Sequence, residues 1–148
     1  MFSSSKQFLS KQENERLHLA VKQSEQGTSG EIRVYIESKC SFMNPIDRAK
    51  ELFLSLKMYQ TIHRNAVLIY IAYQDRDFAI IGDKNIYQKT NDEFWNQHSK
   101  SLLRAFNNHN YIQGMEDVIR AVGNELRVHF PTHGETKNEL PDEIIFGK

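Results

Sequence analysis

The spacing of apolar residues changes along this chain, and each change marks a new element. Leu17, Ala20 and Val21 recur at helical spacing. Ser10 and Glu13, just ahead of them, have the separation of a capping box, which predicts the helix start. Gly27 is placed to end that helix in a left-handed turn. Beyond it Ile32, Val34 and Ile36 alternate with Arg33, Tyr35 and Glu37, the pattern of a strand with one more polar face. Asn44 and Pro45 suit the cap and first position of a second helix, whose apolar stripe is Ile46, Ala49, Leu52, Phe53 and Leu56.

The longest apolar run, Ala66 to Tyr73, is rich in β-branched and aromatic residues and reads as a strand covered on both faces. A short polar break, Gln74-Asp75-Arg76, separates it from Phe78 to Ile81, which predicts a hairpin ended by Gly82-Asp83. Two helices follow. Thr90 and Glu93 suggest a capping box for the first, which carries Phe94, His98, Leu102 and Phe106 on one face up to Asn107-Asn108. The second carries Ile112, Met115, Ile119, Val122 and Leu126, and Pro131 closes it. The expected fold is therefore α/β, a three-layer α/β/α sandwich around a small mixed sheet. Its first two strands are parallel through a right-handed crossover, and its second and third form the hairpin. Residues 1–131 form the domain and 132–148 a partly flexible tail, in which Ile144, Ile145 and Phe146 could dock back.

Composition narrows the function. Nineteen Lys and Arg balance nineteen Asp and Glu in 148 residues, so no basic excess points to nucleic acid. The single cysteine, Cys40, excludes an internal disulfide and a cysteine-built zinc or iron–sulfur site. No stretch approaches the roughly 20 apolar residues of a membrane span. Met1 to Lys11 is polar and Ser-rich without an apolar signal core, so the expected location is cytoplasmic and the expected state a soluble monomer.

Most searches for catalytic motifs are blank. The seven glycines form neither a dinucleotide fingerprint nor a phosphate loop, and no nucleotide or organic cofactor is expected. His129 and His133 are separated by Pro131 and cannot share a helical face, and the other histidines are scattered. Cys40 lies past the first strand without an evident activating base, so its thiol is expected to stay protonated. Two acidic groups remain, at opposite edges of the sheet. At one, Asp75 and Asp77 flank the hairpin turn and Glu37 could add a third oxygen, a donor set suited to calcium or magnesium. At the other, Asp83 follows the third strand and Asp92 could approach from the next helix. Spacing alone favours plain turns at both places.

Local strings then add up to a family likeness. Phe8-Leu9-Ser10 before a helix, the run Thr28-Ser29-Gly30-Glu31-Ile32-Arg33-Val34, and Thr61 followed by Arg64-Asn65-Ala66-Val67-Leu68-Ile69-Tyr70 resemble a TPM domain. So do Asp75-Arg76 and Phe78-Ala79-Ile80-Ile81-Gly82-Asp83-Lys84. The resemblance spans Phe8 to Pro131 and is nearest to the small stand-alone bacterial branch, without the signal peptide and membrane helix of many relatives. It implies an α/β/α sandwich, a divalent-cation site and, for some members, weak acid phosphatase activity. Many relatives carry two acidic residues shortly before the first helix. Here that region is Ser4-Ser5-Lys6, with no carboxylate. Asp75-Arg76 and Asp83 are retained, and Asn85 stands where close relatives tend to have glycine. The resulting expectation is a weak cation-binding and protein-interaction module, with a metal-assisted phosphomonoesterase as the alternative. Asp75, Asp77 and Glu37 are the first-choice ligands, Asp83 and Asp92 the second.

Overall fold

The computed structural model describes residues 5–134 and 138–147. Ser4 of the carboxylate-free stretch and Glu135 of the acidic tail lie outside these residues. A 3-10 turn over Ser5–Phe8 leads into α1, Lys11–Ser24. The predicted capping box is present: the Glu13 N–H donates to the Ser10 hydroxyl at 3.0 Å, and the Ser10 N–H donates to the Glu13 carboxylate at 2.9 Å. Strand β1 is Glu31–Glu37 and α2 is Pro45–Ser55, capped by Asn44 as expected. Then come β2, Ala66–Ala72, and β3, Asp77–Gly82. A short helix, α3, spans Lys84–Lys89, before α4 at Asp92–Asn107 and α5 at Tyr111–His129.

Four details differ from the sequence reading, the first being the short helix α3 where a turn was expected. Asn91, not Thr90, caps α4, its side chain accepting from the Phe94 N–H at 2.9 Å. Thr90 is occupied elsewhere, ending α3 and accepting from the Trp95 indole N–H at 2.9 Å. Ile46 projects from the α2 stripe and stays half exposed. Finally, the segment after Pro131 contributes a fourth strand, β4, Ile145–Phe146.

The sheet order is β3-β2-β1-β4. β1 and β2 are parallel, with Tyr35 beside Tyr70 and Glu37 beside Ala72, whereas β2 and β3 are antiparallel. β4 joins β1 in parallel through Tyr35–Ile145 and Ile36–Phe146. Alternation along the strands then separates two cores. Ile32, Val34, Ile36, Val67, Ile69 and Ile71 pack with α1, α4 and α5 in the larger one. Leu68, Tyr70, Ala72 and Ala79 pack with Ala49, Leu52 and Phe53 of α2 in the smaller. The polar face of β1 therefore points into the thinner layer, under α2 and the C-terminal segment. Buried polar groups there must find partners.

Candidate functional site

The ends of the parallel strands carry the two acidic groups, as the topology requires. At the first end the β1–β2 ladder runs past both strands, with the Tyr73 N–H donating to Glu37 O at 3.0 Å and the Gln74 N–H to Ser38 O at 2.9 Å. Glu37 is 6% exposed and fully engaged. Arg48 of α2 grips it with two bonds, Nε to Oε2 at 2.9 Å and Nη2 to Oε1 at 3.0 Å. The Tyr70 hydroxyl donates to the same Oε2. This carboxylate keeps the Arg48 guanidinium strongly protonated, and burial followed by the Glu37 bond pushes the Tyr70 phenol up. Neither Arg48 nor Tyr70 was singled out from sequence. Arg48 sits one turn before Leu52 on the helix face turned to the sheet, and that spacing was the available signal.

Asp75 and Asp77 lie beside this pair but are separate from it. Asp75 accepts from the Cys40 backbone N–H at 2.8 Å. Burial, with the Asp75 charge second, raises the Asp77 pKa. Arg76 sits between them with a left-handed φ of 54° and donates its guanidinium to Asn107 rather than to either neighbour. So the turn brings two of the three first-choice residues together, while Arg48 holds the third. Among the described residues no group of three or more His, Cys, Asp or Glu side chains forms a cage for an ion. Cys40 offers no nucleophile, because its buried thiol donates to the Met43 carbonyl and burial pushes its pKa up.

At the opposite end, Asp83 caps α3 and accepts two bonds from Arg64, at 2.7 and 2.9 Å. Asp92 does not reach it and accepts instead from the Tyr87 hydroxyl at 2.6 Å. Asn85 helps fix the same corner, donating to the His63 carbonyl at 2.8 Å. The sequence strings that carried the family likeness therefore build a lock between two turns. The Thr28 run has the same character: its hydroxyl bonds the Phe130 carbonyl at 2.7 Å at the end of α5 and accepts from the Gly30 N–H at 3.1 Å. Any Cβ at Gly30 would come within 2.6 Å of Leu126, which explains the glycine.

This end also holds a carboxylate group that sequence reasoning missed. Glu31, 3% exposed, accepts from the backbone N–H groups of Glu139 and, at 2.7 Å, Leu140, and so anchors the returning segment. Glu25 accepts from the Ile32 N–H at 2.7 Å. Glu25, Glu31 and Asp142 line a cavity of about 190 Å³. Burial pushes the Glu25 carboxyl up to about 10, with the Asp142 carboxyl and the Glu31 charge adding to it. Glu31 rises to about 7, again chiefly through burial, although its two backbone donors oppose the shift. The nearby Arg33 guanidinium donates to the Glu143 carbonyl at 3.4 Å, and burial lowers its pKa against the opposing charges of Glu143, Asp142, Glu25 and Glu31. Only the folded return of residues 138–147 brings Asp142 here.

Comparison with known proteins fits this architecture. A family model of the TPM domain matches residues 3–125. The NMR structure of the BA42 protein from the psychrophilic bacterium Bizionia argentinensis is 38% identical, with a TM-score of 0.84 over 93% of this chain and 94% of that one. The N-terminal domain of the cg2496 protein from Corynebacterium glutamicum is 12% identical, with a TM-score of 0.64 over 85% of this chain and 82% of that one, and shares the fold. The curated proteins give no match. With the family model covering most of its length, the chain belongs to the TPM domain family.

Proposed function

We propose that this TPM domain is a non-catalytic binding domain, which takes up a divalent cation weakly at the Asp75–Asp77 turn and engages a protein partner. The observation that carries the cation reading is the placement of two carboxylates around a turn whose own arginine points elsewhere, with the Asp75 charge, after burial, raising the Asp77 pKa. A calcium or magnesium ion would offset the two neighbouring charges, with water completing its oxygen shell. Among the described residues, no nucleophile and base face one another beside this turn, and its one thiol is held protonated. That supports binding over phosphomonoester hydrolysis.

The test is titration calorimetry with calcium and with magnesium. Binding in about the millimolar range is expected, as for other low-charge oxygen sites, and Asp75→Asn and Asp77→Asn should each abolish the heat. Heat that survives both changes, or no heat at millimolar ion, would overturn the reading.

A further inference from the structure

The sheet has two outer edges, and the chain treats them differently. Its own β4 covers part of β1, placing Ile145 and Phe146 beside Tyr35 and Ile36 directly after the acidic pair Asp142-Glu143. No strand covers β3 on its outer side.

The register shows which β3 groups have no partner strand. The Asp83 N–H donates to the Ala66 carbonyl at 2.8 Å, continuing the β2–β3 ladder. Bonded and non-bonded pairs alternate in an antiparallel ladder. Ile81, Ala79 and Asp77 thus turn their main-chain groups toward β2, while Gly82, Ile80 and Phe78 turn theirs outward. Among the described residues no backbone or side-chain hydrogen bond outside the ladder reaches the outward groups of Ile80 and Gly82.

A trough of about 580 Å³ lies along this edge. Ile80 and Gly82 lie at its base, Ile46 and Lys50 of α2 form one wall, and Lys84 and Tyr87 of α3 contribute another. Ile46 and Tyr87 are each half exposed, at 49%, so the walls offer apolar surface. Neither lysine enters an ion pair among the described residues, whereas Asp92 at the rim is engaged by Tyr87.

We infer that the β3 edge is a docking site for an extended acidic peptide segment of a partner protein, added to the sheet as a further strand. Unpaired main-chain groups select a strand, the apolar walls take its alternate side chains, and the two lysines select carboxylates between them. The β1 edge shows that this sheet accepts such a segment, acidic residues leading into an apolar strand. The inference rests on reading the chain as a binding domain and names the partner's chemistry. The cation turn lies at the far end of β3, so the two ideas fail independently.

The probe is the acetylated, amidated peptide Glu-Ile-Glu-Val-Glu-Ile, with Lys-Ile-Lys-Val-Lys-Ile as its control, titrated into the ¹⁵N-labelled full chain. The amide signals of Ile80 and Gly82 should shift with the acidic peptide and stay fixed with the basic one. Lys50→Glu with Lys84→Glu, both exposed positions, should weaken binding about tenfold while leaving the spectrum folded. Equal binding of both peptides would overturn the site. So would shifts confined to Tyr35 and Ile36, which mean displacement of β4, or unchanged signals at millimolar peptide. Concentration-dependent shifts at Ile80 and Gly82 without peptide would assign the edge to a second copy instead and also overturn it.

Discussion

Glu37 and Glu31 close the two ends of the same strand, and both are almost completely buried. Their electrostatics are opposite. Glu37 meets a guanidinium in a two-pronged bond and a phenol besides, so its charge is compensated inside the protein. Glu31 meets two backbone N–H groups with Glu25 and Asp142 nearby, and burial raises Glu31 to about 7 and Glu25 to about 10. A buried carboxylate can thus be accommodated by pairing or by neutralisation, and one strand uses both. The neutralised end joins the body to its C-terminal segment through groups that titrate.

The sharpest way to break this contrast is Arg48→Ala, which leaves Glu37 buried without its partner. A loss of about 3 kcal/mol in urea unfolding is expected, because an uncompensated buried charge is costly. Arg48→Met combined with Glu37→Gln should recover most of it. If Arg48→Ala were silent, the two ends would be alike and the contrast would fail.

The second effect concerns pH. A carboxyl whose folded pKa exceeds its unfolded value binds more protons when folded. Its stabilising contribution is complete below the ordinary value of 4.5 and is lost as pH rises through the folded value. The urea midpoint should therefore fall as pH rises from 4.5 through about 7, where Glu31 titrates, and again toward about 10, where Glu25 does. Glu25→Gln mimics the protonated state and should gain about 2 kcal/mol on the parent on the alkaline side of neutrality. A midpoint that rose with pH over the same window would contradict the raised Glu25 and Glu31 values. The smallest expected change is Glu51→Ala, which removes the exposed partner of Arg48 and should cost no more than about 0.5 kcal/mol. Comparing it with Arg48→Ala separates the value of the buried bond from that of the exposed one.

Much of the fold was legible because it rests on local periods. The capping box at Ser10, the Asn44-Pro45 start, the parallel β1–β2 pair and the hairpin all follow from short-range patterns and appear as expected. The α4 cap was misread because Thr90 and Asn91 are both good capping residues, and the choice depended on where α3 ended and on the Trp95 indole. α3 itself was hidden in what read as turn chemistry, being only six residues long. For the candidate site, the closeness of Asp75 and Asp77 was legible from their place around a turn. The role of Glu37 was not, since its partner arrives from α2 across the sheet.

Sequence alone determined the elements other than α3 and β4, their order and the mixed character of the sheet, because each depends on side chains within a few residues of one another. It also placed carboxylates at both ends of the strands, because strand direction and turn position follow from that order. Which carboxylates are paired, which are held neutral by burial, and which sheet edge has no partner strand were decided only by the tertiary structure. Those outcomes depend on reach between distant segments: Arg48 to Glu37, residues 139–142 to Glu31 and Glu25, and β4 to β1 but not to β3. No local period encodes such meetings, because burial and charge act on whatever the fold brings within a few ångströms.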